Sequence, residues 1–314
     1  MKITKLEARK IAKEYSLGKV KKFELIKGGC VNYNYLLTSD KGKYIIRIVG
    51  DKSFSGLDHI KLQFKIFEYL QKKKLPYLLP FPLKAGNKRI INVGKNKVWV
   101  YNMIRGRGHN TPNESQMKEM ARALAIYHKH IQGLKGKFSW DSADKRIEKG
   151  FRIMEDIKIK NESDKLVLKY RNFLKDIYDK VSKINRKANL LYLHSDFDSS
   201  NVMFDKGKII GIIDFDDAEY GPRAFDICVS LRDSCNIRGK LDLRKVKIFL
   251  KEYEKISKIS KEEKELIIPL MLYANVDMFV WAYCFMGKDP ENKIKYMKEA
   301  IIITEDIVKN KIKL

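Results

Sequence analysis

Apolar and charged positions alternate at helical spacing over residues 4–15, and Gly18 stops the pattern, which predicts an N-terminal helix. The stretch from Phe23 then leads to Gly28-Gly29. Residues 33–38 and 43–49 are apolar, β-branched or aromatic runs joined by Ser39-Asp-Lys-Gly42, the chemistry of a hairpin turn. Residues 58–74 place Ile60, Phe64, Phe67 and Leu70 on one face of a predicted helix. A Pro-bounded extended link follows over 75–82, and 90–93 and 98–104 read as two more strands. The N-terminal third therefore predicts a five-stranded sheet with one inserted helix.

Arg105-Gly-Arg-Gly108 breaks the pattern and reads as a hinge near 100–108. Beyond it helical spacing dominates, over 114–132, 142–158, 163–184, 241–257, 261–285 and 291–312. A short β segment around 190–215 is the exception. No internal repeat or low-complexity tract is visible. The pattern predicts an α+β chain in two parts, a sheet-built 1–104 and a mainly helical 105–314.

Composition narrows the class. The 314 residues are 44% hydrophobic, enough for a sizeable core. No run of about 18 apolar residues is seen, so no membrane span is expected. The N-terminus enters its helix without an apolar leader, and Cys30, Cys228, Cys235 and Cys284 are scattered without a Cys-x-x-Cys pair. Reduced thiols in a cytoplasmic protein are the expectation. The five histidines do not cluster with the cysteines, so zinc is not expected. A net charge of +26 raises a polyanion-binding reading. The lysines are spread along the chain and not gathered in a stripe, which predicts a lysine-coated surface, weak non-specific attraction to polyanions and no specific nucleic-acid partner.

The chemistry concentrates in His194-Ser-Asp196-Phe-Asp-Ser-Ser-Asn201, followed by Ile212-Ile-Asp214-Phe215. Phosphoryl transfer from a nucleotide needs a carboxylate that orients the attacking hydroxyl, and an amide and a carboxylate that hold magnesium on the phosphates. Asp196, Asn201 and Asp214 supply these three groups on a predicted loop and strand end. A lone Asp after an apolar run is ordinarily a loop cap. A polar hairpin turn accounts for Asp205-Lys-Gly207. Neither explains an Asp placed directly after the near-continuous apolar run of 209–213.

The pattern His-x-Asp-x4-Asn, a short hairpin, then Ile-Asp-Phe resembles the kinase catalytic and metal loops, without the Arg of His-Arg-Asp or the Gly of Asp-Phe-Gly. That variant is similar to the aminoglycoside phosphotransferase, choline kinase and homoserine kinase-like superfamily. The resemblance implies a protein-kinase-like two-lobed fold, ATP and Mg2+ as cofactors, and a hydroxyl on a small molecule as acceptor. It implies Asp196 as the catalytic residue, Asn201 and Asp214 as metal ligands, and His194 and Asp226 as structural support. Asp226 also reads as an ordinary helix cap. Gly28, Gly29 and Asn32 match the nucleotide-covering loop, and Arg47 the strand position of the phosphate-binding cation. An inward cation among apolar neighbours calls for an anion. Gln63 stands where the family usually has the Glu that pairs with that cation. The backbone around Tyr101 and Met103 corresponds to the adenine-facing segment. His128, in Leu124-Ala-Ile-Tyr-His128, matches a family helix and reads as packing.

For the acceptor, Asp216, Asp217 and Glu219 follow Asp214 and suggest an acidic pocket mouth. Asp277 and Trp281 put an acid and an aromatic on one helix. Acid plus aromatic suits an amine, such as homoserine, choline, ethanolamine or an aminoglycoside. A buried amphipathic helix is the plainer reading of those aromatics. A protein kinase is disfavoured by His-Ser-Asp and by the lack of an Ala-Pro-Glu segment after Asp214. A nucleotide-binding structural protein of the spore-coat kind remains the alternative, and a monomer or homodimer is expected.

Overall fold

The computed structural model describes residues 3–26, 33–49, 56–109, 111–138, 141–287 and 289–312, the side chains of 141 and 142 excepted. Gly28, Gly29, Cys30 and Asn32 lie outside the described residues. The chain forms two compact units, Met1–Arg107 with Met203–Asp217, and Gly108–Val202 with Ala218–Leu314.

The first unit opens with α1 (Lys5–Glu14), started by a capping box between Thr4 and Glu7. The helix ends at Glu14. Gly18 lies beyond it at φ +91°, in the turn into the sheet, where a side chain would be strained. Strands β1 (Val20–Leu25), β2 (Tyr33–Ser39) and β3 (Lys43–Ile48) precede α2 (Leu57–Lys72); β4 (Ile90–Val93) and β5 (Asn96–Asn102) follow it. They form one antiparallel sheet in the order β1-β2-β3-β5-β4. Period-2 alternation sorts its two faces. Leu37, Ile46, Ile48, Val98 and Val100 join Ile11 and Tyr15 of α1 in one core cluster. Arg47 and Trp99, paired in register, point the other way, and Phe64 of α2 meets the Trp99 ring edge-on at 5.3 Å.

The second unit begins with α3 (Glu114–Ile131), α4 (Asp141–Ile153), α5 (Glu162–Val181) and β6 (Leu190–Tyr192). The hairpin of β7 (Val202–Asp205) and β8 (Lys208–Ile212) then returns the chain to the first unit at Met203. The sequence assigned this hairpin to the helical part; hydrogen bonds reassign it. Leu78 N–H donates to the Ile210 carbonyl at 2.8 Å and Ile212 N–H to that of Leu78 at 2.9 Å, while Arg107 and Phe204 exchange two bonds at 3.0 Å. Close approach explains one glycine of the expected hinge, since a Cβ on Gly106 would lie 2.9 Å from Met203 Cβ.

In the second unit, β9 (Tyr220–Pro222) pairs with β6 and leads into α6 (Arg223–Ser234). The short β10 (Asn236–Ile237) and β11 (Lys240–Leu241), then α7 (Leu243–Glu254), α8 (Lys261–Cys284) and α9 (Pro290–Lys309) complete it. Helix α6 was not read from the sequence as an element of its own. Its buried residues run almost without interruption from Ala224 to Leu231, so it shows no polar face for periodicity to detect. Helix α8 is long and apolar enough, by length and composition, to cross a bilayer, which the sequence reading did not anticipate. It packs against α4, α5, α6 and α9, and 61% of its most apolar window is buried. Its apolar character therefore serves the core of this unit. Cys228, Cys235 and Cys284 are free thiols, as scattered cysteines suggested.

Candidate active site

In the second unit, β6 delivers the chain into the loop 194–201, and α6 holds that loop by its backbone. Asp226 Oδ2 accepts from His194 N–H at 2.9 Å, and its Oδ1 from Ser195 N–H at 2.7 Å. One turn on, Ser230 Oγ donates to the Phe197 carbonyl at 2.6 Å. A turn further, Asp233 Oδ2 accepts from Ser199 N–H at 2.9 Å. Positions 226, 230 and 233 lie on one helix face, so three side chains of one rigid element clamp the loop. Asp198 holds its far end, taking Ser200 N–H at 2.8 Å and Asn201 N–H at 3.0 Å. Gly108 approaches from outside; a Cβ there would lie 2.7 Å from the Ser200 carbonyl oxygen.

The clamp sets the two candidate side chains. Asn201 Nδ2 donates to the Asp196 carbonyl at 2.9 Å and to its Oδ2 at 2.8 Å. The amide nitrogen is thereby committed, and Oδ1 is the atom of Asn201 suited to a hard cation. Asp196 itself is partly exposed. Ser195, between the clamped His194 and Asp196, sits at φ +65°, a conformation that non-glycine residues adopt rarely and chiefly where surroundings enforce it.

Behind the clamp, His128 Nε2 lies 3.0 Å from Asp226 Oδ2, and its Nδ1 is 2.6 Å from Tyr253 Oη. Burial pushes the His128 imidazole down, which outweighs the upward pull of Asp226, so the ring is neutral. Its Nε2–H donates to Asp226, and Nδ1 accepts from Tyr253. Asp226 thus carries three donors while fully buried. It lies inside α6, whose N-cap is Pro222, so the helix-cap reading of Asp226 gives way to that of a buried anchor. His194 is also buried, with its ring edge-on to Phe197 at 5.7 Å and Nδ1 3.3 Å from Asp196 N.

The first unit carries the other groups. Arg47 is buried as expected, its guanidinium 5.9 Å over the Trp99 ring. Its Nη2 meets both Asp214 Oδ1, at 3.3 Å, and Asp216 Oδ2. Burial alone would push the guanidinium down; the carboxylates of Asp216 and Asp214 more than offset this and hold it up. Asp214 lies just past β8 at φ +62°, its side chain 43% exposed, followed by Phe215, which is buried edge-on to Phe67 of α2 at 5.0 Å. An Asp tolerates this left-handed conformation better than most residues.

Asp216 is an engaged carboxylate and not an open anion. Its side chain is 17% exposed, one oxygen is on Arg47, and Oδ1 accepts from Gln63 Nε2 at 3.0 Å. Burial raises its carboxyl above the usual range, against the pull of Arg47. The expectation for Met103 also changes. Its N–H donates to the Lys43 carbonyl at 3.0 Å, which makes 43/103 a bonded pair. Alternation then turns the backbone of Tyr101 toward Ile45 as well, so neither N–H faces outward to meet a base.

The chain matches the model of the phosphotransferase enzyme family (APH) over residues 22–257. It belongs to that family. A homoserine kinase from Methylobacillus flagellatus is 25% identical to this phosphotransferase over 256 residues, covering 80% of this chain and 76% of that one. The solved spectinomycin phosphotransferase APH(9)-Ia, in complex with ADP and spectinomycin, is 16% identical, covers 95% of this chain and 98% of its own, and has a TM-score of 0.68. Amicoumacin kinase hAmiN, in complex with AMP-PNP, Ca2+ and Ami, is 17% identical over 93% and 92% of the two chains, with a TM-score of 0.66. The α+β architecture is thus the protein-kinase-like fold of these enzymes.

Asp217 is exposed. Asp277 is forked on Arg146, with bonds of 2.6 and 3.2 Å, so it is a paired charge and not a bare anion. Trp281, one turn on, packs edge-on to Tyr296 at 6.1 Å. Sequence reasoning missed the loop-holding roles of His128, Ser230, Asp233 and Tyr253. The helical spacing of Asp226, Ser230 and Asp233 in a mainly apolar run was the available signal.

Asp233 yields a prediction about stability. Burial first, and Asp198 second, push its carboxyl up to about 6. A folded-state value above the ordinary one favours the protonated fold, so this contribution is full below about pH 4 and is lost as pH rises through 6. Urea melts of wild type and Asp233→Asn should diverge by roughly 2 kcal/mol between pH 4 and 7, with the variant gaining. Parallel curves would contradict the assignment.

Proposed function

We propose that this phosphotransferase moves the γ-phosphoryl group of ATP, with Mg2+, to a hydroxyl of a small amine-bearing acceptor, homoserine first among the candidates. The observation that carries the reading is the clamped loop 194–201, whose backbone is immobilised while the Asp196 and Asn201 side chains are aimed by it. Such immobilisation suits a reaction that depends on positioning and electrostatics. Asp196 orients the acceptor hydroxyl and takes its proton. Arg47 steadies the phosphates; both carboxylates use its Nη2, so the rest of the fork suits an anion.

Asn201 Oδ1 and Asp214 would hold the metal, and the exposure of Asp214 fits that use. Among the described residues no cluster of three or more His, Cys, Asp or Glu could hold a metal ion. Two hard protein oxygens fit magnesium, which completes its shell with phosphate oxygens and water. The metal would neutralise charge on the β- and γ-phosphates. A nucleotide and a divalent cation in the solved relatives support this reading.

For the acceptor, the Arg146–Asp277 pair favours a zwitterion over a plain cation, because both signs are presented together. This agrees with the homoserine kinase relative. The test is ADP release with ATP, Mg2+ and a panel of homoserine, choline, ethanolamine, sugars and aminoglycosides. One acceptor raising the rate well above the water background is expected, and no stimulation by any of them would overturn the proposal. Chelation of divalent cations should abolish turnover. Asp214→Ala should lose metal-dependent ATP affinity, read by calorimetry with and without Mg2+; equal metal dependence in the variant would exclude Asp214 as a ligand.

A further inference from the structure

Asp216 bridges two elements that the sequence places far from it. One oxygen meets Arg47 of β3, 169 residues earlier, and the other accepts from Gln63 of α2, 153 residues earlier. Gln63 therefore reaches the cation through Asp216. His59, one turn before Gln63 on α2, also acts electrostatically on this carboxylate. Phe215, next to Asp216, is buried against Phe67 of the same helix. We propose that Asp216 is the residue that positions the phosphate-binding Arg47, with the neutral Gln63 holding that carboxylate in place of a helix carboxylate acting on the cation. The proposal rests on the reading of Arg47 as the group that meets the nucleotide phosphates.

The charges make the two positions interdependent. A glutamate in place of Gln63 would set a second carboxylate at hydrogen-bond distance from Asp216, in a partly buried site where like charges repel strongly. An amide there instead donates a proton and adds no charge. The Gln63 departure from the family pattern and the carboxylate of Asp216 are thus one arrangement. Asp214 and Asp216 both meet Arg47 Nη2, so the turn that carries the proposed metal ligand also carries the counter-ion of the cation. Asp216 is a positioning residue and not an acceptor contact: both of its oxygens are engaged and little of its side chain is exposed.

A charge exchange tests this. Wild type, Gln63→Glu, Asp216→Asn and the double variant are compared for magnesium–ATP affinity by calorimetry, which needs no acceptor, with melting curves to establish folding. Each single change should weaken binding roughly tenfold or more, because one leaves Arg47 with only the longer contact to Asp214 and the other adds a repelling charge. The double variant should return to within about threefold of wild type, since the carboxylate introduced on α2 restores the charge count and the amide introduced beside Phe215 can donate to it. A double variant no tighter than the weaker single one overturns the proposal. So does Asp216→Asn with wild-type ATP affinity and a raised acceptor KM, the signature of an acceptor contact. Should Asp216→Asn fail to fold, Gln63→Glu alone decides, and wild-type affinity there is the overturning result. Wild type that does not bind magnesium–ATP would instead sink the functional reading beneath it.

Discussion

Asp196→Ala should lower kcat by about 10²–10⁴-fold, the range for loss of a positioned proton acceptor, while leaving magnesium–ATP affinity within about twofold. The separation of effects follows from the geometry. The loop is held through the backbone of His194, Ser195, Phe197 and Ser199, and none of those bonds uses the Asp196 side chain. Asn201 loses its bond to Asp196 Oδ2 but keeps the one to the Asp196 carbonyl oxygen, which alanine also provides. The frame should survive and only the chemistry go. Asp196→Asn preserves reach without basicity, so comparing the two variants separates orientation from proton removal. A kcat within tenfold of wild type in Asp196→Ala would remove Asp196 from the reaction.

Asp226→Ala should damage the same reaction by another route, with a stability loss that Asp196→Ala does not show. Three donors converge on this carboxylate, from His194 N, Ser195 N and His128 Nε2. Removing their acceptor leaves buried N–H groups unsatisfied, at about 1–3 kcal/mol each. With three such groups at the lower end of that range, the melting temperature should fall by roughly 6–12 °C. Ser195 holds a left-handed backbone next to Asp196, and the bond from its N–H to Asp226 supports that conformation. Once released, the loop shifts, and a displacement of about 1 Å at the reacting groups costs on the order of 10² in rate. ATP affinity should change less than turnover, because Arg47 and Asp214 lie in the other unit and only Asn201 shares the released loop. Calorimetric melts and kcat measured on the same preparation check this. A variant with wild-type melting and turnover would show that α6 does not hold the loop.

Local pattern made much of this readable in advance. The hairpin of β2 and β3 follows from alternation around a polar turn, and α2 from the spacing of Ile60, Phe64, Phe67 and Leu70. The candidate catalytic and metal residues stand within one short segment, so their spacing is itself a signal. Three features gave no such signal. Helix α6 is buried nearly all round. The backbone of Tyr101 and Met103 was expected to face a nucleotide, but strand register turns both N–H groups to β3. The carboxylate of Asp216 looked like an acceptor contact because its partners are remote in the chain.

Residue order was enough to specify most of the elements, the positions of Asp196, Asn201 and Asp214 along the chain, and the family they resemble. Each of these depends on spacing between near neighbours, which the chain carries directly. Folding in three dimensions was needed to assign the segment 203–217 to its unit, to pair Arg47 with its carboxylates, and to bring the side chains of α6 onto the loop 194–201. Those outcomes are bonds between residues brought together by packing of distant segments. A buried charge or backbone donor accepts whichever partner folding delivers, and nothing in local spacing specifies it.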